Sequence, residues 1–317
     1  MNFAPVIIPT LCRYEHFKQC LNSLSECTYA EQTDVYIGLD YPLKEEHWNG
    51  YQKILSFLDN FDKNKFKSIT IIKRPYNYGL GPKGNIRTLC KEILENYDRF
   101  IFTEDDNIFS KNFLEYINKG LDLYEKDKSI FAINGYKHLM EFKYSDNNHF
   151  AQNVGFSAWG YGIWKDRYLL FLKKNKMQYY IKALLNPFAL YRIYCNGWSR
   201  IATLLRIIEK KDIRFADYTL NLYLPIEKQN VIMPIISKVR NCGWDGSGEN
   251  CNPNNQELKD LHTNQKIDID IHFEYKGNPL NYYKENRKLI VKNGYSRLSF
   301  REFIKSMFKT ILKKIKQ

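Results

Sequence analysis

The sequence predicts an α/β chain, Rossmann-like in outline: a mostly parallel central sheet flanked by helices, with a basic amphipathic helix at the C-terminal end. Three observations predict it. Short apolar runs alternate with helix-period segments through the first half of the 317 residues. Polar, glycine and acidic residues gather where the apolar runs end. The last stretch of chain has a charge and a periodicity of its own. Strands alternating with helices read as parallel pairing with both sheet faces covered.

The elements follow in order. Pro5–Thr10 is a short apolar run bounded by prolines, a first strand. Tyr14–Ser25 places Phe17, Cys20, Leu21 and Leu24 on one helical face. Asp34–Leu39 reads as a buried strand ending at Asp40, Trp48–Phe61 as a helix, and Ser68–Lys73 as a third strand. A helix over Ile86–Asn96 and a strand over Arg99–Thr103 follow, the strand running into Glu104-Asp105-Asp106. Phe113–Tyr124 is helical and Ile130–Ile133 is a strand. The second half is less regular: an aromatic and glycine-rich segment from Phe156 to Trp164, long helical stretches, and a loop-rich segment from Asn241 to Asn255. There is no internal repeat. One domain over residues 1–285 with a tail over 286–317 is the simplest division.

Apolar residues make up 44% and charged residues 26%, the balance of a chain that buries a core rather than of a disordered one. No run reaches the ~18 apolar residues of a spanning helix. The N-terminus has neither the basic lead-in nor the apolar region of a secretory signal. Seven cysteines with no CxxC pair argue against a disulfide framework or a zinc knuckle, and for reduced thiols in the cytoplasm.

The net charge of +13 is uneven. Arg287–Gln317 holds ten basic residues and one acid, Glu302, so +9 of it lies there. In the same tail Phe300, Phe303, Ile304, Met307, Phe308, Ile311, Leu312 and Ile315 recur at spacings of three and four, one apolar stripe on a helix. Such a helix suits an anionic membrane surface, where each basic residue adds about 1 kcal/mol. The same stripe could instead pack on the body of the protein. No nucleic-acid motif accompanies the charge, so nucleic acid is not expected as a partner.

Two features bear chemistry. The acidic triplet Glu104-Asp105-Asp106 directly follows an apolar strand. Its mutual repulsion is offset by a divalent cation, since Mg²⁺ or Mn²⁺ takes carboxylate oxygens together with those of a diphosphate. Alternatively Asp106 or Ser110 caps the helix that begins near Asn112. Gly79-Leu80-Gly81-Pro82-Lys83-Gly84 has the written form of a dinucleotide fingerprint, with Glu104 twenty residues on. Against an NAD-dependent oxidoreductase stand the five residues Arg74–Tyr78 between strand and glycine, and the two strand–helix units that come first. A nucleotidyltransferase needs a glycine-rich loop after the first strand, where Leu11-Cys12-Arg13-Tyr14 stands.

The order PVIIPT, YIGLD, NYGLGPKGN and FIFTEDDNIFSKNFLEYI resembles that of GT-A-fold glycosyltransferases of the broad GT2 type, above all the N-acetylglucosaminyltransferase I group with its EDD form of the DXD motif. FSAWGYGIW, Phe215-Ala216-Asp217-Tyr218 and the run from Pro234 to Gly248 are similar to later segments of bacterial surface-polysaccharide enzymes, so the likeness covers about residues 4–252. The resemblance implies a GT-A fold and an inverting transfer from a nucleotide sugar, a UDP-sugar first, to a saccharide or lipid-linked saccharide. It implies Mn²⁺ or Mg²⁺ on Asp106, and Asp217 as catalytic base. Arg13, Asp40, Gly79, Lys83, Glu104, Asp105 and Trp159 would contact the nucleotide sugar. Trp159, Tyr161, Trp164 and Trp198 are candidates to stack on sugars. Arg240, Asn241 and Trp244 could close over the donor, with hinges at Gly243, Gly246 and Gly248. The histidine with which relatives often end this segment is replaced by Glu249-Asn250-Cys251. The expected place is the cytoplasmic face of the membrane, held there by the tail.

Overall fold

A computed structural model describes residues 2–137, 147–211, 213, 216–246, 260, 264–281 and 304. In chain order the elements are β1 (Val6–Thr10), α1 (Tyr14–Ser25), β2 (Asp34–Leu39), α2 (Glu45–Asn60), β3 (Ser68–Lys73), α3 (Asn85–Ile93), β4 (Arg99–Phe102), β5 (Asn107–Phe109), α4 (Phe113–Leu123) and β6 (Ile130–Asn134). They continue with β7 (His149–Gln152), β8 (Tyr161–Trp164), α5 (Lys165–Lys174), α6 (Met177–Leu185), α7 (Pro187–Cys195), α8 (Trp198–Lys210), α9 (Ala216–Glu227), β9 (Asn230–Pro234), β10 (Val239–Asn241) and β11 (Leu280–Asn281).

Nine strands form one sheet in the order β11-β7-β9-β6-β8-β4-β1-β2-β3, and β10 pairs with β5 in a small second sheet. Pairing is mostly parallel: β1 with β2 and β4, β2 with β3, β6 with β9, β7 with β11. The exceptions are β8, antiparallel to both β4 and β6, and β7, antiparallel to β9. The alternation in β1 sorts its side chains. Val6 and Ile8 join the cluster beneath α1, α2 and α4, while Ile7 joins Leu89, Cys90 and Ile93 of α3 on the other face. Gly162 in β8 is required by packing: a Cβ there would lie 2.4 Å from Cγ2 of Ile117 on α4.

The predicted strands of the first half are present in order, with ends shifted by a residue or so. α2 starts three residues before Trp48, because Glu45 and Glu46 lie where the N-terminal partial charge of the helix favours acids. The Phe156–Trp164 segment is two things: a loop to Gly160, then strand β8. Trp164 fills the core, 3% exposed, its indole N–H donating to the Leu121 carbonyl at 3.2 Å, so it does not stack on a sugar. A third apolar cluster, built on Tyr180, Leu190, Ile193, Tyr194, Leu204 and Ile207, unites α6, α7 and α8. Of the predicted tail helix only Ile304 is described, and it packs against that cluster; the remainder of the apolar stripe and the basic residues of the tail lie outside the described residues.

Candidate active site

Parallel strands carry their ligands at the carboxyl ends, where loops diverge. Here β1 ends at Thr10, β2 at Leu39 and β4 at Phe102, and the groups that follow them meet in one crevice. From the β1–α1 loop, Arg13 reaches the acidic triplet. Its Nη1 donates to Oδ2 of Asp106 at 2.8 Å and its Nη2 to Oδ1 of Asp105. The other oxygen of Asp105 accepts from the Thr10 hydroxyl at 2.8 Å. The other oxygen of Asp106 accepts from Asn241 Nδ2 at 2.7 Å, and the Asp106 carbonyl from the Cys242 N–H at 2.8 Å.

Both aspartates are buried. Burial raises the Asp105 carboxyl above its ordinary range, opposed by the Arg13 charge, and the neighbouring Asp106 raises it further. For Arg13 burial disfavours the guanidinium, but the two carboxylates outweigh it and its pKa is raised. At the start of α4 the N-cap residue is Asn112, whose side chain makes no cap bond; the Ser110 hydroxyl donates to Asn112 Oδ1, and the Asp106 carboxylate is held by Arg13 and Asn241. Gly243 lies so close over Asp106 that a Cβ would come to 2.0 Å from Oδ2. The short β5–β10 ladder places it, pairing Asn241 with Asn107 next to the triplet. Sequence reading named Asn241 only as a loop residue and missed Thr10. Register across β5–β10 is a long-range fact with no local signature.

Asp40 is buried, and its carboxylate accepts backbone N–H groups from Tyr41 at 2.9 Å, Tyr78 at 2.8 Å and Gly79 at 2.9 Å. It thereby fastens the glycine loop to the end of β2. Gly79 and Gly81 have φ of +57° and +105°, which glycine adopts without steric cost. Because the Gly79 N–H is bonded to a carboxylate, it does not serve a phosphate in this arrangement. That weakens the dinucleotide reading. Lys83 is exposed on the loop.

Glu104, alone of the triplet, lines a cavity of about 230 Å³. Gly79, Leu80, Gly81 and Gly84 form one wall, Phe102, Phe131, Phe156 and Tyr161 the floor, and Tyr218 of α9 another side. Asp217 stands beside Tyr218 as the second residue of α9; its side chain lies outside the described residues, as does that of Trp198. Trp159 is half-buried, edge-on to Tyr136 at 4.6 Å and to Trp244 at 6.3 Å, so it abuts the segment covering Asp106. The Asp245 carboxylate meets His16 of α1 at 2.8 Å.

A divalent cation can be tested against these groups. Among the described residues no three His, Cys, Asp or Glu side chains converge as a ready cage. Asp106 offers hard carboxylate oxygens of the kind that, with phosphate oxygens and water, suffice for Mg²⁺ or Mn²⁺. Oδ2 is held by Arg13 and lies under Gly243, so a cation would need both to shift. With Asp106 as its protein ligand, such a cation would take its remaining oxygens from a diphosphate and water.

No family model matches the chain, and no curated protein matches it. Solved structures similar to it include a mannosyltransferase and a bifunctional glycosyltransferase. S. aureus TarS is 16% identical with a TM-score of 0.37, over 55% of this chain and 49% of that one. The mannosyltransferase PcManGT from Pyrobaculum calidifontis, solved with GDP-Man and Mn²⁺, is 11% identical with a TM-score of 0.36, over 52% and 45%. An active-site mutant of LgtC is 11% identical with a TM-score of 0.39, over 86% and 88%. The chain spans about half the length of the TarS and mannosyltransferase chains it matches.

Proposed function

We propose that the chain is an inverting glycosyltransferase that moves a sugar from a nucleotide-sugar donor, a UDP-sugar first, to a saccharide or lipid-linked saccharide in surface-polysaccharide synthesis. The observation that carries the reading is the crevice at the ends of β1, β2 and β4. It gathers Arg13, Asp40 and the triplet Glu104–Asp106 beside a glycine loop and a cavity that continues to the start of α9. A nucleoside diphosphate needs a cationic group for its phosphates and acceptors for its hydroxyls. Arg13 would supply the first and Glu104, at the cavity, the second; Asp105, bonded to Thr10 and Arg13, would position the guanidinium.

Mn²⁺ or Mg²⁺, held by Asp106, would offset the charge that develops on the leaving diphosphate. The chain's own residues do the rest. Glu104, at the cavity wall, fixes the orientation of the donor sugar. The aromatic floor excludes water from the reaction centre. Asp217 takes the proton of the acceptor hydroxyl as it attacks, the work of a general base within ~3 Å. With one base and no nucleophile of its own, transfer is a single displacement and inverts the anomeric centre, by analogy with the carboxylate logic of glycosidases. A tail on the inner face of the cytoplasmic membrane would bring the enzyme to a lipid-linked acceptor.

A thermal-shift panel of nucleoside-diphosphate sugars, with and without Mn²⁺, and of NAD tests the reading. We expect a nucleotide sugar to raise the melting temperature and NAD to leave it unchanged. No response to any nucleotide sugar, or a response to NAD alone, would sink the assignment.

A further inference from the structure

The α6–α8 helices carry a surface that the catalytic reading leaves unused. Between α6 and α7 the chain turns through Leu185-Asn186-Pro187-Phe188, with Leu185 76% and Phe188 61% exposed. Ile181, one helical turn before Leu185 on the same face of α6, is also exposed. The corner is fixed. Asn186 Oδ1 accepts the N–H groups of Phe188 and Ala189 at 3.0 and 3.2 Å, and Pro187 occupies the first turn of α7. A rigid turn that leaves a leucine and a phenylalanine largely exposed is a built feature, not scattered surface apolarity.

The charge around it is as one-sided. Residues 165–211 contain eleven basic side chains and two acidic ones, Asp166 and Glu209, a net +9, with no acid from Arg167 to Ile208. Lys173, Lys176, Lys182, Lys210 and Lys211 are exposed. Outside this stretch and the tail from Arg287, the chain holds 27 basic and 32 acidic residues. The basic charge is thus concentrated on the helical unit and the tail, and the rest of the chain is slightly acidic.

We propose that the α6–α7 corner is a membrane-docking surface, with Ile181, Leu185 and Phe188 entering the headgroup boundary of an anionic bilayer and the surrounding lysines resting on its phosphates. Exposed apolar side chains on a helix that also carries Lys176 at its cap and Lys182 one turn before Leu185 are the chemistry of such a contact. A second copy of the chain is the poorer occupant, since it would set +9 against +9. The same helical unit reaches the proposed site: the Arg206 guanidinium of α8 lies 5.3 Å over the ring of Tyr218, which lines the cavity. Docking of this unit would bring the enzyme to a lipid-linked acceptor. That consequence rests on the glycosyltransferase reading; the docking itself does not.

The test is cosedimentation of the full chain with phosphatidylcholine vesicles, with and without a third of phosphatidylglycerol. We expect binding to the anionic vesicles only, a more than tenfold loss for the double variant Leu185→Ser, Phe188→Ser, and a comparable loss for Lys176→Glu with Lys182→Glu, at unchanged melting temperature. The tail is intact in every variant, so partition within twofold of the parent chain overturns the proposal. Should the double variant fail to fold, Leu185→Trp decides: its added fluorescence must shift to the blue on anionic vesicles, and an unshifted spectrum overturns the docking. Self-association or capture of an acidic protein without vesicle binding overturns it as well. Absence of nucleotide-sugar binding in the same preparation would defeat the catalytic reading and leave the vesicle result standing.

Discussion

Arg13 and Asp106 face each other at 2.8 Å in the crevice, and the oxygen that accepts the guanidinium is the one that Gly243 covers. Arg13 therefore competes with any cation that would use Oδ2 of Asp106. Removing one partner of a buried pair leaves the other uncompensated, at a cost of about 3 kcal/mol. Arg13→Gln should lower the melting temperature, strengthen Mn²⁺ binding to the nucleotide-free protein and weaken binding of a nucleoside diphosphate more than tenfold. Titration calorimetry with Mn²⁺ alone and with nucleotide alone measures both arms. Equal Mn²⁺ affinity in parent and variant would show that the two do not compete.

Asp217→Asn is expected to keep donor affinity and to reduce the rate of transfer at least a hundredfold, the range that a positioned general base contributes. A split between unchanged donor KM and collapsed kcat checks it. Retained turnover would move the role to another carboxylate, with Asp245 and Glu249 the next to substitute.

Gly243→Ala probes the cover over the aspartate pair. The new Cβ meets a carboxylate oxygen at 2.0 Å, so Asp106 or the Asn241–Trp244 segment must shift. Small-to-large changes in packed regions cost about 1–3 kcal/mol. We expect a modest loss of stability and a much larger loss of nucleotide-sugar affinity, read from melting curves and calorimetry on one preparation. An affinity within twofold of the parent would show that the segment does not shape the donor site.

The sheet was legible in the first half because each buried strand is a short apolar run closed by a polar residue, and each covering helix shows its stripe; Phe17, Cys20, Leu21 and Leu24 are all buried as read. The triplet at the end of β4 was legible for the same reason. What could not be read is pairing. Tyr161–Trp164 runs antiparallel between two parallel strands, and Val239–Asn241 pairs with Asn107–Phe109, through contacts far apart in sequence. Asn241 could therefore not be assigned to Asp106. Asp40 stands at the strand end the pattern indicated, but its bonds to Tyr78 and Gly79 depend on how the glycine loop folds back.

Lys238 and Asp268 form a buried ion pair just before β10, with the Lys238 ammonium 4.4 Å over the Phe273 ring. Burial raises the Asp268 carboxyl, but hydrogen bonds from Lys238, the Asp270 N–H and Asn112 outweigh it and hold its pKa below the usual value. A carboxyl whose folded pKa is depressed stabilises the fold above its unfolded value and loses that contribution as pH falls through the folded one. The window is therefore acidic, below about pH 4. Asp268→Asn leaves the buried ammonium without its counter-charge and should cost about 3–5 kcal/mol near pH 7. The gap to the parent chain should narrow as pH drops below about 4, where the parent loses the same charge. Replacing both partners, Lys238→Met with Asp268→Leu, should recover most of the loss, since a well-packed apolar pair can substitute for a buried ion pair. Because Lys238 leads directly into the strand that carries Asn241 to Asp106, the single variant should also weaken nucleotide-sugar binding, and the double variant should restore it. Denaturant titrations from pH 3 to pH 7, paired with calorimetry at pH 7, check both halves; a gap that stays constant across that range would show that the pair does not titrate with folding.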